Sequence, residues 1–290
     1  MCHHGSVTGV RSKRVRLDQL IVDRGLAESR SRAQALLIGG RVRVGAGDEA
    51  RFDRKPGDQV DPRTTIDVER PEPYVSRGGH KLAAALDSFE IDPAGRVCLD
   101  AGASTGGFTD VLLQRGARRV YAVDVGRGQL AESLRRDARV VSMERTNART
   151  LTASSLPEPV SLATIDVSFI SLRLVLAPIA SAFEAAGGDI VPLVKPQFEA
   201  GRADVPGGVV RDPSVHARVL REVAEAALVT GLEPRAAIAS PVLGPEGNRE
   251  FLLHLVVPPR DARETRAASP GGLTPALADR LAAIALTDAA

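Results

Sequence analysis

Residues 99–110 read Leu-Asp-Ala-Gly-Ala-Ser-Thr-Gly-Gly-Phe-Thr-Asp, and no other stretch constrains the fold of this chain as much. An apolar run, Val97-Cys98-Leu99, precedes them and reads as a buried strand. Residues 108–115, closed by Gly116, read as a helix. A strand, a glycine turn and a helix in that order bring bare backbone close to a ligand. Asp100 sits near the carboxyl end of the strand, the edge where open parallel sheets bind ligands. The glycines fall at 102, 106 and 107, not in the G-x-G-x-x-G spacing of dinucleotide folds. The spacing points to a nucleoside other than NAD without naming it.

Around this loop, apolar runs alternate with helical patterns. Strands are predicted at 97–100, 120–124, 140–143, 162–166, 190–195, 236–239 and 251–257, with helical patterns over 172–186 and 214–229. That alternation predicts an α/β domain with a parallel sheet covered on both faces. The connection between the last two strands is too short for a helical crossover, so the last strand is expected antiparallel. The result is a seven-stranded Rossmann-like sheet of the methyltransferase type, over 77–258. A smaller α+β unit is expected over 11–70, with Leu17, Leu20, Ile21 and Leu26 on one helical face. In a second helix, capped by Ser29 or Ser31, Ala33, Leu36, Leu37 and Ile38 are expected to face the core. Pro71-Glu72-Pro73 makes 71–76 a stiff linker, and 259–290 reads as a flexible C-terminal tail.

Charge is unevenly spread. Net charge is +2 over 290 residues, yet 11–45 carry nine Lys or Arg against three Asp or Glu. A basic end on a near-neutral chain suggests a polyanionic partner. The two cysteines, Cys2 and Cys98, imply no disulfide framework and favour a reducing, cytoplasmic setting. Cys2-His3-His4 lacks further ligands, so no metal site is expected. No signal peptide and no membrane-spanning run is evident, and no stable membrane association is expected.

Asp124, ending the second strand, can accept both hydroxyls of a ribose. Asn147, after the third strand, lies where an adenine edge would sit. Four charged residues abut apolar runs and are expected on one sheet edge: Lys81, which opens the helical run 81–89, Asp166 and Lys195 by strand direction, and Glu250 because an antiparallel strand starts there. Buried charges are costly unless paired, and two cations with two anions satisfy one another. A free lysine is protonated at neutral pH, and burial and a second cation both lower its pKa. Lys195 beside Lys81 is therefore a candidate general base towards a hydroxyl, with Asp166 and Glu250 orienting the lysines.

Lys81, Asp166, Lys195 and Glu250 resemble, in order and position, the Lys-Asp-Lys-Glu tetrad of FtsJ-like ribose 2′-O-methyltransferases. Ser76-Arg-Gly-Gly-His-Lys81-Leu and Gly247-Asn-Arg-Glu250-Phe are similar to the TlyA branch of that family, some of whose members carry a haemolysin label. Ser104-Thr-Gly-Gly-Phe108 stands where the family usually has Ala-Pro-Gly-Gly-Trp, a departure that keeps the glycines. The resemblance covers roughly residues 14 to 257 and implies an enzyme that uses S-adenosyl-L-methionine as cofactor. Asp100, Gly102, Ser104, Gly106, Gly107, Phe108, Asp124 and Asn147 would be its cofactor-binding residues and the tetrad its catalytic ones. It implies transfer to a cytidine 2′-hydroxyl in 23S rRNA, with 16S rRNA as a further candidate, and a link to capreomycin and viomycin susceptibility. A membrane-active haemolysin and a non-catalytic ribosome-assembly factor are the rival readings. Residues 14–70 resemble the small RNA-binding domain named after ribosomal protein S-four, through Arg16-Leu-Asp18, Ser29-Arg-Ser-Arg-Ala33 and Gly40-Arg-Val-Arg-Val44. That implies ribosomal RNA or ribosomal subunits as partners. Arg14, Arg16, Arg30, Arg32, Arg41 and Arg43 are its candidate RNA contacts.

Overall fold

The computed structural model describes residues 13–47, 50–69, 72–268 and 271–286. Cys2-His3-His4 and Pro71 lie outside the described residues. The chain divides into two compact units, Met1–Glu72 and Pro73–Ala290.

In the first unit, β1 (Val15–Arg16) leads into α1 (Leu17–Asp23), α2 (Arg30–Ile38), β2 (Val42–Val44), β3 (Gln59–Val60) and β4 (Ile66–Val68). β1 pairs with β3 and β2 with β4, both antiparallel. Ser29 starts α2 by accepting the Arg32 N–H at 3.2 Å, a side-chain cap for an otherwise orphaned donor. Leu17, Leu20 and Ile21 of α1 meet Ala33, Leu36 and Leu37 of α2 in a small core that Val42, Val44 and Val60 close. Ile38 departs from its expected inward place and is 80% exposed. It is the last residue of α2, about 100° around the helix from Leu37, and the chain leaves at Gly39 before another turn can bury it. Leu26 lies beyond the end of α1 and is partly exposed.

The second unit runs α3 (Gly78–Ser88), β5 (Val97–Ala101), α4 (Gly107–Gln114), β6 (Arg119–Val123), α5 (Glu132–Arg135), β7 (Val140–Met143), β8 (Leu162–Ile165), α6 (Leu176–Ser181), β9 (Gly188–Val194), α7 (Pro196–Glu199), α8 (Pro213–Val229), β10 (Glu233–Ala239), β11 (Phe251–Val257), α9 (Arg260–Ala268) and α10 (Pro275–Leu286). The strands form one seven-stranded sheet in the order β10-β11-β9-β8-β5-β6-β7. Neighbours from β7 to β9 are parallel, and β11 is antiparallel to both β9 and β10. This is the expected Rossmann-like sheet, with the antiparallel strand one place in from the edge. Alternate residues of β5 serve opposite faces: Val97, Leu99 and Ala101 join one core and Cys98 the other. Both faces are therefore covered, as a mostly parallel sheet requires.

Two expectations need correction here. Residues 172–186 do not form one helix: a 3-10 turn at Leu172–Leu174 precedes α6. Pro178 sits in the first turn of α6, where its missing N–H is tolerated, and that fixes the helix start at Leu176. Nor is the C-terminal segment a loose tail across its described residues. Leu277, Leu281 and Ala285, spaced at helical repeats along α10, are buried in the core that α8 also lines. Arg249 fastens the helix end by donating to Ala285 O at 2.8 Å and Ile284 O at 3.1 Å. Among the described residues, no helix is long and apolar enough to cross a membrane.

Candidate active site

The glycine loop joins β5 to α4 at the carboxyl edge of the sheet. Gly102 has φ +84°, and a Cβ there would stand 2.5 Å from the Asp166 carbonyl oxygen, so only glycine lets the end of β8 come this close. Gly106, with φ +97°, opens α4 in the left-handed region, and a Cβ there would meet the Leu130 and Leu134 side chains of the next connection. Ser104 also takes a positive φ, +49°. Its backbone N–H donates to Asp124 Oδ2 at 2.8 Å, while the Gly126 N–H donates to Asp124 Oδ1 at 2.6 Å. The Asp124 carboxylate is thus held by backbone from both loops before any ligand arrives.

A cleft of about 310 Å³ opens beside it, lined by Gly102, Ser104, Asp124, Val125, Asn147, Phe169 and their neighbours. Such a volume falls at the lower end of small-molecule sites. The Asn147 side-chain oxygen accepts the Arg149 N–H at 3.0 Å and caps a short turn, so its amide nitrogen is the part left to a ligand. Gly106 does not line the cleft, and Gly107 and Phe108 line a second cavity instead.

Asp100 is the clearest departure from the expected cofactor contacts. The alternation of β5 turns its side chain to the α4 face, where it is fully buried and lines neither cavity. It accepts hydrogen bonds from Thr109 Oγ1 at 2.7 Å and Thr164 Oγ1 at 3.1 Å, tying the start of α4 to β8. Burial pushes its carboxyl up to about 6. A folded-state value above the unfolded one near 3.9 means the fold prefers the protonated form. The stability Asp100 contributes is complete below pH 4 and is lost as pH rises through 6. Asp100→Asn should therefore gain stability relative to the native chain as pH goes from 4 to 7. Melting curves of the two proteins at both pH values check this, and a difference that does not change with pH would refute it.

The second cavity, about 250 Å³, is lined by all four charged residues together with Ser76, Gly78, Gly107, Phe108, Ser168 and Pro245. Lys81 comes from the first turn of α3, Asp166 from the residue after β8, Lys195 from the residue after β9, and Glu250 from the residue before β11. They form two ion pairs. Lys81 Nζ bonds Glu250 Oε2, with the Glu250 side chain wholly buried and that of Lys81 only 9% exposed. Lys195 Nζ stands 2.6 Å from Asp166 Oδ1 and donates to Ser168 Oγ at 2.8 Å. Asp166 Oδ1 and Glu250 Oε1 are buried acceptors without a hydrogen-bond partner among the described residues. Gly102, Ser104, Asp166 and Ser168 line both cavities, so the two adjoin. A larger groove of about 380 Å³ lies between the start of β10 and α10, but Arg235 and Arg266 there are both paired to Glu233.

Three residues escaped the sequence reading. Ser168 bonds Lys195, and its only signal is its place two residues after Asp166. Phe169 is 90% exposed with φ +63°, conspicuous in a chain with so few aromatics. Asn248 is buried two residues before Glu250, where it donates to Gly208 O at 2.9 Å and accepts the Val210 N–H at 3.1 Å. It thereby holds part of the glycine-bearing segment 197–211.

In the first unit all six candidate arginines are exposed. Arg16 and Arg30 both donate to the fully buried Asp18 carboxylate, at 2.9 Å to Oδ2, as does Gln34. Arg16, with help from Gln34 and Arg30, holds that carboxyl far below the usual range. Arg14, Arg32 and Arg41 make no side-chain bond among the described residues, and Arg43 reaches only Gly47 O, at 3.4 Å.

Comparison with known proteins agrees with this division. Residues 74–256 match the family described as FtsJ-like methyltransferase, and residues 15–45 match the S4 domain. The chain is 50% identical over 247 residues to the 16S/23S rRNA (cytidine-2′-O)-methyltransferase TlyA of Mycobacterium tuberculosis, covering 84% of this chain and 90% of the relative. It is 39% identical over 245 residues to Hemolysin A of Brachyspira hyodysenteriae, covering 84% of this chain and all of the relative. A solved Streptococcus thermophilus structure with a provisional hemolysin label superposes with a TM-score of 0.64 at 43% identity, covering 88% of this chain and 95% of that one.

Proposed function

We propose that this chain, which belongs to the FtsJ-like methyltransferase family and to its TlyA group, methylates a ribose 2′-hydroxyl of ribosomal RNA at a cytidine. The observation that carries the reading is the cavity lined by Lys81, Asp166, Lys195 and Glu250, which shares a wall with a nucleoside-sized cleft.

The cleft fits S-adenosyl-L-methionine. Asp124 would accept the hydroxyls of a ribose, Asn147 would offer its amide nitrogen to a base, and Gly102 leaves bare backbone where the cavities adjoin. The cofactor, when bound, supplies an electrophilic methyl group. Gly107 and Phe108 line the acceptor side, and Asp100 acts from beneath by fixing α4 to β8. Lys195 takes the proton of the ribose hydroxyl, and Asp166 holds the resulting ammonium at 2.6 Å. Lys81 and Glu250 line the same cavity, and the unpartnered Glu250 Oε1 gives a ribose hydroxyl an acceptor. Much of the rate then comes from holding the two reactants in line.

The arginines of the S4 domain would bring the RNA to the enzyme by backbone contact and shape. Replacing Arg32 and Arg41 by alanine should lower RNA affinity and reduce the slope of log affinity against log salt by about 0.7 to 0.9 per lost phosphate contact. An unchanged slope removes both residues from the interface. Arg16 and Arg30 make a poorer first test, because their loss also strands the buried Asp18.

A ribosomal RNA substrate supports a cytoplasmic location. Incubating the purified protein with S-adenosylmethionine and separate ribosomal subunits, then mapping 2′-O-methyl positions, tests the reading. The expected product is a 2′-O-methylcytidine in 23S rRNA, and the 16S lane decides whether the small subunit is also a substrate. RNA left unmodified in both lanes would remove the proposal. Leakage of liposomes by protein that transfers no methyl group would favour the haemolysin reading instead.

A further inference from the structure

We propose that Ser168 is a positioning residue for Lys195: its hydroxyl oxygen accepts one Nζ–H and so fixes where the lysine lone pair points. The inference rests on the methyl-transfer reading above. Lys195 Nζ lies 2.8 Å from Ser168 Oγ and 2.6 Å from Asp166 Oδ1, and the Phe198 ring centroid stands 5.9 Å away. Both oxygens come from the segment that leaves β8, and Ser168 lines the cofactor cleft as well as the charged cavity. Phe169, the next residue, turns the backbone left-handed at φ +63° and sets its ring 5.0 Å from that of Phe198. The ring beside Lys195 is thus paired with the ring of the residue that follows Ser168.

A neutral amine has two N–H bonds and one lone pair in roughly tetrahedral array, and hydrogen bonds weaken steeply away from linearity. The Asp166 contact is an ion pair without a directed hydrogen bond, so with that contact alone the amine turns about Cε–Nζ and the lone pair sweeps a cone. The Ser168 bond fixes that rotation, and the Asp166 charge favours an N–H over the lone pair on its own side, so the lone pair is left with one direction. As the base acts, the ribose O–H bond breaks and its proton forms the third N–H bond on Nζ. The oxygen keeps the electron pair with which it bonds the methyl group, and the pair of the donor's sulfur–methyl bond would stay on the sulfur. The ammonium has three donors and no acceptor: one stays on Ser168, one faces the Asp166 charge, and the third points at the ribose oxygen.

The test compares Ser168→Ala and Ser168→Thr with the native protein in methyl transfer to the RNA substrate. Ser168 is exposed, so both variants should fold, which melting curves check. Ser168→Ala should lower kcat about 10- to 100-fold, the scale of a small misplacement of a reacting group. KM for cofactor and for RNA should not move, and Ser168→Thr, which keeps the hydroxyl, should restore most of kcat. Full kcat in the alanine variant overturns the inference. So does a defect seen only in the cofactor KM, which would make Ser168 a cofactor contact. A loss of kcat that threonine leaves in place overturns it as well. Native protein inactive on RNA would bring down the underlying reading and this inference together, whereas native activity with a normal alanine variant brings down this inference alone.

Discussion

Lys195→Ala is expected to lower methyl transfer by about 10²- to 10⁴-fold, the range general-base catalysis contributes. Cofactor affinity should hardly change, because Lys195 lines the charged cavity and not the cofactor cleft. Lys195→Arg separates a base from a mere cation. A guanidinium keeps the positive charge beside Asp166 but cannot give up its proton in a protein. If Lys195 works as a base, the arginine variant is as inactive as the alanine one. If it only steadies negative charge, arginine retains much of the rate. Single-turnover rates with S-adenosylmethionine binding measured by calorimetry decide the matter, and an active arginine variant would end the assignment of Lys195 as the base.

The second large effect concerns stability. Glu250→Ala leaves Lys81 as a buried ammonium without its anion, and breaking such a pair from one side costs about 3–5 kcal/mol. Replacing both residues by methionine removes both charges and should cost much less than the single change, since a well-packed apolar pair is often neutral relative to the ion pair. Chemical denaturation checks Glu250→Ala, and the same measurement on Glu250→Met, Lys81→Met and the double methionine variant gives the coupling directly. A double variant as unstable as the sum of the two single changes would mean the pair is not coupled. The double variant should still be inactive, which separates what the pair does for the fold from what it does for the reaction.

The legible parts of the chain are those set by local pattern. The strand, glycine turn and helix at 97–115 could be read because apolar runs and glycines declare themselves within a dozen residues. Three of the four charged residues could be placed on one edge because strand direction carries the ends of β8 and β9, and the start of an antiparallel β11, to the same side, and Lys81 follows from the helix that opens beside the glycine loop. What escaped reading depended on rotation about an element or on contacts far along the chain. Asp100 lies at the right edge but on the face turned to α4. Ile38 has the right spacing but arrives after its helix has ended. The packing of α10 depends on the carbonyls of Ala285 and Ile284 reaching Arg249, more than thirty residues away. The hydroxyl of Ser168 becomes informative only once Lys195, from the next strand, is seen against it.

The shared wall of Gly102, Ser104, Asp166 and Ser168 has a consequence for inhibitor chemistry. The compartment beside Asp124 and the one beside Lys195 adjoin at those four residues. A single compound built from an adenosine-like half and a ribose-like half, joined by a short tether over that shared wall, would reach both. Once one half is seated, the other is presented at an effective concentration in the mM range. Two weak fragments that each fit one compartment would then combine into a strong bisubstrate ligand, and the length of the tether would be set by those four residues.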